Sequence, residues 1–209
     1  MKSILAIFLI QFFLCGNYNS MGVKAEPKAT TISYSINPAD SGEVFNTQLT
    51  KSELVKIFGK ENVSEKSEWF EEGTVEKKVT ILFKESNNEI ALNWKADSTL
   101  ANIKLTKPNS EWSVNGLKAG MTLAEVEKVN SKDFNFYGFG WDNGGFIYNW
   151  NGGILADSLE NIKVSLQLDW EKAGNKNIDS FIGDSVKLSS KNKKLKQLGI
   201  TIYSITVKY

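Results

Sequence analysis

Histidine and arginine are both absent from the 209 residues, cysteine occurs once and proline three times. Without histidine there is no Ser-His-Asp or Cys-His nucleophile system and no imidazole to hold a metal. Without arginine the chain lacks the planar, five-donor fork suited to phosphates and base edges. Its 25 basic residues, all lysine, stand against 24 acidic ones for a net charge of +1. Nucleic acid is therefore not an expected partner. A lone cysteine builds no disulfide framework, so a hydrophobic core must hold the fold. Apolar runs long enough to cross a bilayer are missing as well.

The one marked apolar run is at the start. Lys2 precedes Ile4–Leu14, a stretch interrupted only by Gln11. A positive first step followed by a short apolar core reads as an export signal. Cys15 follows immediately, then Gly16 and Asn17, an arrangement that resembles a bacterial lipoprotein signal whose cysteine is acylated. Leu14 departs from that pattern, which usually has a small residue there. Ordinary cleavage after Ala25, with Val23 and Ala25 as the small-residue site, is the alternative. The expectation is a signal over 1–15, lipidation at Cys15, a polar tether over 16–30 and a domain exported to the periplasm or cell surface.

Two stretches begin alike. Thr50 with Glu53 forms a capping box ahead of Leu54, Ile57 and Phe58, and Gly59 is placed to end the helix. Thr122 with Glu125 repeats the device 72 residues on. Strands are expected over Thr30–Ile36, Lys77–Phe83, Glu89–Trp94, Leu100–Leu105 and Ile200–Val207. Leu166–Trp170 echoes Ile90–Trp94 at an offset of 76 residues (94 to 170). Recurrence of helix start and strand in one order suggests an internal duplication. The predicted fold is α+β, as two related modules over 31–109 and 110–209, each a short helix packed on an antiparallel sheet. The seam is expected at Pro108-Asn109-Ser110. The aromatic-glycine stretch 134–153 and the lysine-rich segment 179–197 read as additions to the second module.

The stretch 134–153, FNFYGFGWDNGGFIYNWNGG, is where a binding surface is expected. Asp142-Asn143-Gly144-Gly145 and Asn151-Gly152-Gly153 read as tight turns. The aromatics between them favour strands, and alternation would put Tyr137, Phe139 and Trp141 on one face and Phe134 and Phe136 on the other. Tyr137, Trp141 and Trp150, with Asp142 as a directional acceptor, are the candidate ligand-binding residues. Filling a core is the competing duty of such aromatics. Other chemistry is thin. Glu71, Glu72, Asp142 and Asp157 could form a hydrolytic pair. Asn149, Asn151 and Asp157 could hold calcium but lack the closing glutamate. Ser190 and Lys193 have the spacing of a lysine-activated serine without its companion motifs. The cluster Lys187, Lys191, Lys193, Lys194 and Lys196 reads as a solvated face. No cofactor, metal or catalytic residue is expected.

Gly120-Met121-Thr122-x-x-Glu125-Val126, opening a helix followed by antiparallel strands, resembles the small outer-membrane-assembly lipoproteins of the SmpA/OmlA type. The β-lactamase inhibitor protein is similar as a tandem of such modules. Gly138-Phe139-Gly140-Trp141-Asp142 with Trp150-Asn151-Gly152-Gly153 resembles a family of exported bacterial proteins without an activity to carry over. The first resemblance implies a protein-binding module anchored in the envelope, its partner another envelope protein. The alternative is a glycan or cell-wall fragment bound by the aromatic-glycine stretch.

Overall fold

The capping boxes form as the sequence requires, and with matching geometry. In the computed structural model the Thr50 hydroxyl accepts from Glu53 N–H at 3.3 Å, while the Glu53 carboxylate accepts from Thr50 N–H at 2.9 Å. For Thr122 and Glu125 the same bonds measure 3.4 and 2.8 Å. The structure describes residues 33–40, 43–70, 73–174, 178–183 and 185–209. The expected signal, Cys15, the tether and the first three residues of the Thr30–Ile36 run lie outside these residues, as do Glu71 and Glu72.

In chain order the elements are β1 (Ser35–Ile36), α1 (Lys51–Phe58), β2 (Val63–Phe70), β3 (Val75–Leu82), β4 (Ile90–Trp94), β5 (Leu100–Leu105) and β6 (Ser113–Val114). Then follow α2 (Leu123–Asn130), β7 (Asn135–Tyr137), β8 (Ile147–Asn149), β9 (Ile162–Gln167), α3 (Trp170–Ala173), β10 (Lys187–Ser189) and β11 (Thr201–Lys208). The fold is α+β. A six-stranded antiparallel sheet runs β2-β3-β4-β5-β11-β9, a three-stranded one runs β10-β7-β8, and β1 pairs with β6 in parallel. Alternation does the sorting. In β9, Ile162, Val164 and Leu166 are buried while Lys163 and Gln167 are exposed, as a sheet with one solvated face demands.

The expected seam at Pro108-Asn109-Ser110 is not a boundary between separate bodies, because residues 33–209 form one compact unit. The large sheet crosses from the first half to the second between β5 and β11. A Cβ on Gly120 would meet Pro108 at 2.7 Å, so the chain on either side of the seam packs closely.

The two halves follow one another element by element. Leu54 and Phe58 bury α1; Val126 and Asn130, 72 positions on, are buried in α2. β4 pairs with β5 through Ile90↔Leu105, Ala91↔Lys104, Leu92↔Ile103, Asn93↔Asn102 and Trp94↔Leu100. β9 pairs with β11 through Ile162↔Val207, Lys163↔Thr206, Val164↔Ile205, Ser165↔Ser204 and Leu166↔Ile202. Each position of β9 lies 72 residues after its counterpart in β4, and each of β11 lies 102 after its counterpart in β5. Both ladders skip a residue at the same place, Ala101 in one and Tyr203 in the other. Thr50 bridges Thr99 and Thr122 bridges Thr201, again at those offsets. Where β5 meets β11, Ile103↔Val207 and Leu105↔Ile205 exchange under the 102-residue shift, with Lys104↔Thr206 between them. The central register is two-fold symmetric. Trp94 therefore corresponds to Leu166, not to Trp170, and the 76-residue echo is misaligned by four.

Trp170 does not end a strand. It is the first residue of α3, whose N-cap Asp169 accepts from Lys172 N–H at 3.0 Å. Nor is the aromatic-glycine stretch an addition: Asn135 opposes Asn149 as Val63 opposes Leu82, so the β7–β8 hairpin stands where β2–β3 stands in the first half. The true departure lies between β9 and β11, where residues 168–200 replace the short turn 95–99.

Candidate functional site

Tyr137 ends β7, and from Gly138 the chain no longer alternates. Phe139 N–H donates to Phe181 O at 2.9 Å, and Gly183 N–H donates back to Phe139 O at 3.1 Å. That pairing with the 168–200 segment turns Phe139 inward, 5.9 Å from Phe136, so it is buried and does not share an outer face with Trp141. Gly140 then takes φ +94°, a conformation open to glycine, and carries the chain outward.

Two turns follow. Gly144 N–H donates to Trp141 O at 2.7 Å and Phe146 N–H to Asn143 O at 3.1 Å. The expected tight turn thus exists one residue early, with Asp142 and Asn143 at its centre. It belongs to a connection spanning 138–146 rather than a two-residue hairpin loop. Gly145, at φ +72°, docks the loop on β9: its carbonyl accepts from Leu166 N–H at 2.9 Å. A Cβ there would overlap the Leu166 carbonyl. The loop is pinned at both ends and its tip projects.

The projecting residue is Trp141, 63% exposed. Trp170, 56% exposed, is its companion. The two line a groove of about 310 Å³ with Phe139, Gly140, Gly144, Leu166, Gln167 and Leu168. α3 is short, yet it is fixed by the Asp169 cap, by Gly174 N–H donating to Trp170 O at 3.1 Å and by burial of Ala173. The hydrogen bond from Lys172 N–H, outweighing the cost of burial and aided by the Lys172 ammonium, holds the Asp169 carboxyl below the usual range. Apart from the indole N–H groups, Gln167 is the only polar side chain among the lining residues, and none of them titrates.

Of the four expected binding residues, the groove takes in Trp141 alone. Asp142 is exposed beside it at the turn. Tyr137 is half-buried and packs on Tyr148, ring centroids 4.6 Å apart, with the Lys187 ammonium 5.7 Å from the Tyr148 ring. Trp150 is 1% exposed and packs 5.5 Å from Phe134, so it belongs to the core and offers no stacking face. The reason is the Asn151-Gly152 turn, with φ of +52° and +67° and Gly153 N–H donating to Trp150 O. It folds the chain over buried Asn130, whose side chain donates to Trp150 O at 2.9 Å and accepts from Leu155 N–H at 3.2 Å.

Other candidates are in structural use. Asn149 Oδ1 accepts from Asn151 N–H, and Asn151 Nδ2 donates to Asp133. Ser190 is buried and its hydroxyl accepts from Phe134 N–H at 2.9 Å, a strand-end bond rather than an activated nucleophile. Lys196 pairs with Glu127 and Lys191 lies 4.0 Å from Asp133, so the lysine-rich segment is tied to the fold by its charges. Sequence reasoning passes over Trp170 and Gln167. The signal that could have found Trp170 is Asp169 followed by Trp170-Glu171-Lys172-Ala173-Gly174, an N-cap and a closing glycine.

Comparison with family models, curated proteins and solved structures finds no match to this chain.

Proposed function

We propose that this protein is an exported, non-enzymatic binding module of the cell envelope, anchored through Cys15, and that the Trp141–Trp170 groove engages another envelope protein. The observation that carries this reading is a pair of exposed tryptophans flanking a concave, pinned surface. Fixed aromatic area at the mouth of a small recess is the pattern of an interface hot spot. A groove without ionisable lining can bind, but it has no proton to give or take. A sugar ring needs partners for several hydroxyls, and beyond the indole N–H groups only the Gln167 amide supplies side-chain hydrogen bonds here. An apolar side chain from a polypeptide fits that lining better.

The constant offsets of 72 and 102 residues support the further reading that the two halves are copies of one helix-and-sheet module. The resemblance to tandem envelope-binding modules rests on this arrangement and on Gly120 to Val126. The export signal and lipid anchor rest on the sequence of residues 1–15.

The test is photo-crosslinking in intact cells with p-benzoylphenylalanine at position 167. A discrete adduct that disappears in folded Trp141→Ala and Trp170→Ala variants supports the reading. No adduct, together with saturable tryptophan fluorescence changes on titration with soluble cell-wall fragments, would replace it with glycan binding.

A further inference from the structure

The two ends of the sheet system are finished differently. In the second half, β10 closes the outer edge of β7 through Lys187↔Tyr137, Leu188↔Phe136 and Ser189↔Asn135. In the first half, the counterpart strand β2 is terminal in the strand order, and among the described residues no strand pairs with its outer edge. That edge is eight residues long, fully paired to β3 on its inner side, and carries Trp69 at 64% exposure. An open edge of this length is a template for another strand.

The charges on β2 say which strand. An antiparallel pair related by a two-fold axis must place a residue opposite its own copy, because the axis stands normal to the sheet. Centring on Lys66 opposes two lysines; centring on Glu68 opposes two glutamates; centring on Glu65 does the same. Centring on Ser67 sets Lys66 against the second copy's Glu68 and Glu68 against its Lys66. Both contacts then join opposite charges on one face. Lys66 and Glu68 already lie 3.4 Å apart within the strand, Lys66 exposed and Glu68 half-buried, and their charged ends pair with each other rather than with the core. On the other face Glu65 meets Trp69, which loses exposure.

We infer that β2 is a self-recognition edge through which two copies of this chain pair antiparallel about Ser67, continuing the six-stranded sheet into a second molecule. Charged residues on an edge ordinarily discourage pairing. On β2 they discourage the neighbouring symmetric registers and admit this one.

The experiment is sedimentation equilibrium on the purified protein, with far-UV circular dichroism to confirm that each variant is folded. The wild type is expected to dimerise. Lys66→Glu opposes glutamates at 66 and 68 twice per dimer, and Glu68→Lys opposes lysines twice; each should weaken dimerisation about tenfold or more. The double variant Lys66→Glu/Glu68→Lys should restore it. A wild type that stays monomeric at its highest soluble concentration overturns the inference. So does a dimer indifferent to the single substitutions, or a double variant no better than the singles. The groove plays no role in this edge, and Trp141→Ala should leave the dimer unchanged.

Discussion

Two tryptophans nine residues apart should answer to substitution in opposite ways. Trp150 is enclosed against Phe134, so Trp150→Ala removes a full indole from the core and leaves a cavity that its neighbours fill only incompletely. The expected cost is about 3–5 kcal/mol, set against a total of about 5–15 kcal/mol for an ordinary domain. Trp150 Nε1 finds no hydrogen-bond partner among the described residues. Trp150→Phe therefore gives up volume but no bond, and should cost clearly less than the alanine change. Trp141 is mostly in solvent, so Trp141→Ala should stay within about 0.5 kcal/mol of the parent. Urea unfolding followed by far-UV circular dichroism measures all three, provided the slope is unchanged and only the midpoint moves. A loss of about 3 kcal/mol for Trp141→Ala would make that ring a packing element and remove the groove as a site. A neutral Trp150→Ala would refute the placement of Trp150 in the core.

Asn130→Ala should be among the most damaging polar substitutions, since it strands the Leu155 N–H and takes from the Trp150 carbonyl one of its two donors, leaving only Gly153 N–H. About 2–4 kcal/mol is expected from chemical denaturation, and Asn130→Asp should fare no better because an acceptor would then face the Trp150 carbonyl. Tyr209 gives a pH signature. Burial, with Glu43 adding to it, pushes its phenol up, and its hydroxyl finds no hydrogen-bond partner among the described residues. The unfolded chain ionises first, near about pH 10, so stability is full below that pH and declines above it. Tyr209→Phe should flatten that alkaline decline in melting temperature while costing little at neutral pH.

What the sequence disclosed and what it hid divide along physical lines. The capping boxes at Thr50 and Thr122 were legible because a cap is local chemistry, complete within four residues. β4, β5 and β11 were legible because a half-buried strand writes its alternation into the chain. β2 was not. Val63–Phe70 reads VSEKSEWF, a polar string, because one edge and much of its surface face solvent and only β3 gives it a reason to be extended. Trp150 and Trp141 could not be told apart, since both follow aromatic strands near Gly-rich turns. Their fates are set by distant partners: Asn130 folds the Trp150 turn inward, while Gly145 pins the Trp141 loop across β9. Trp170 reads as a strand end because Leu-Gln-Leu-Asp-Trp looks like Ile-Ala-Leu-Asn-Trp, whereas the strand pairing aligns Leu166 with Trp94.

The correspondence between the halves also explains where the groove sits. In the first half β4 returns to β5 through residues 95–99, a short turn that adds no further element. In the second, the same return is stretched over 168–200, and the added chain does three things. It closes the β7 edge with β10, it holds Phe139 inward through Phe181 and Gly183, and it sets Trp170 across from Trp141. Holding Phe139 is what frees Trp141, because a chain committed at 139 and at Gly145 must bulge between them. α2 carries the same mark. Asn130 occupies the position of Phe58, with an amide that bonds Lys132 O, Trp150 O and Leu155 N–H and so ties together the connections on either side of the β7–β8 hairpin. The repeated register supplies a rigid frame, Leu166 of β9 included, and both tryptophans of the groove lie where the second half departs from the first. Excising the 168–200 connection in favour of the 95–99 turn should therefore abolish the groove while leaving the paired strands β5 and β11 their symmetric register.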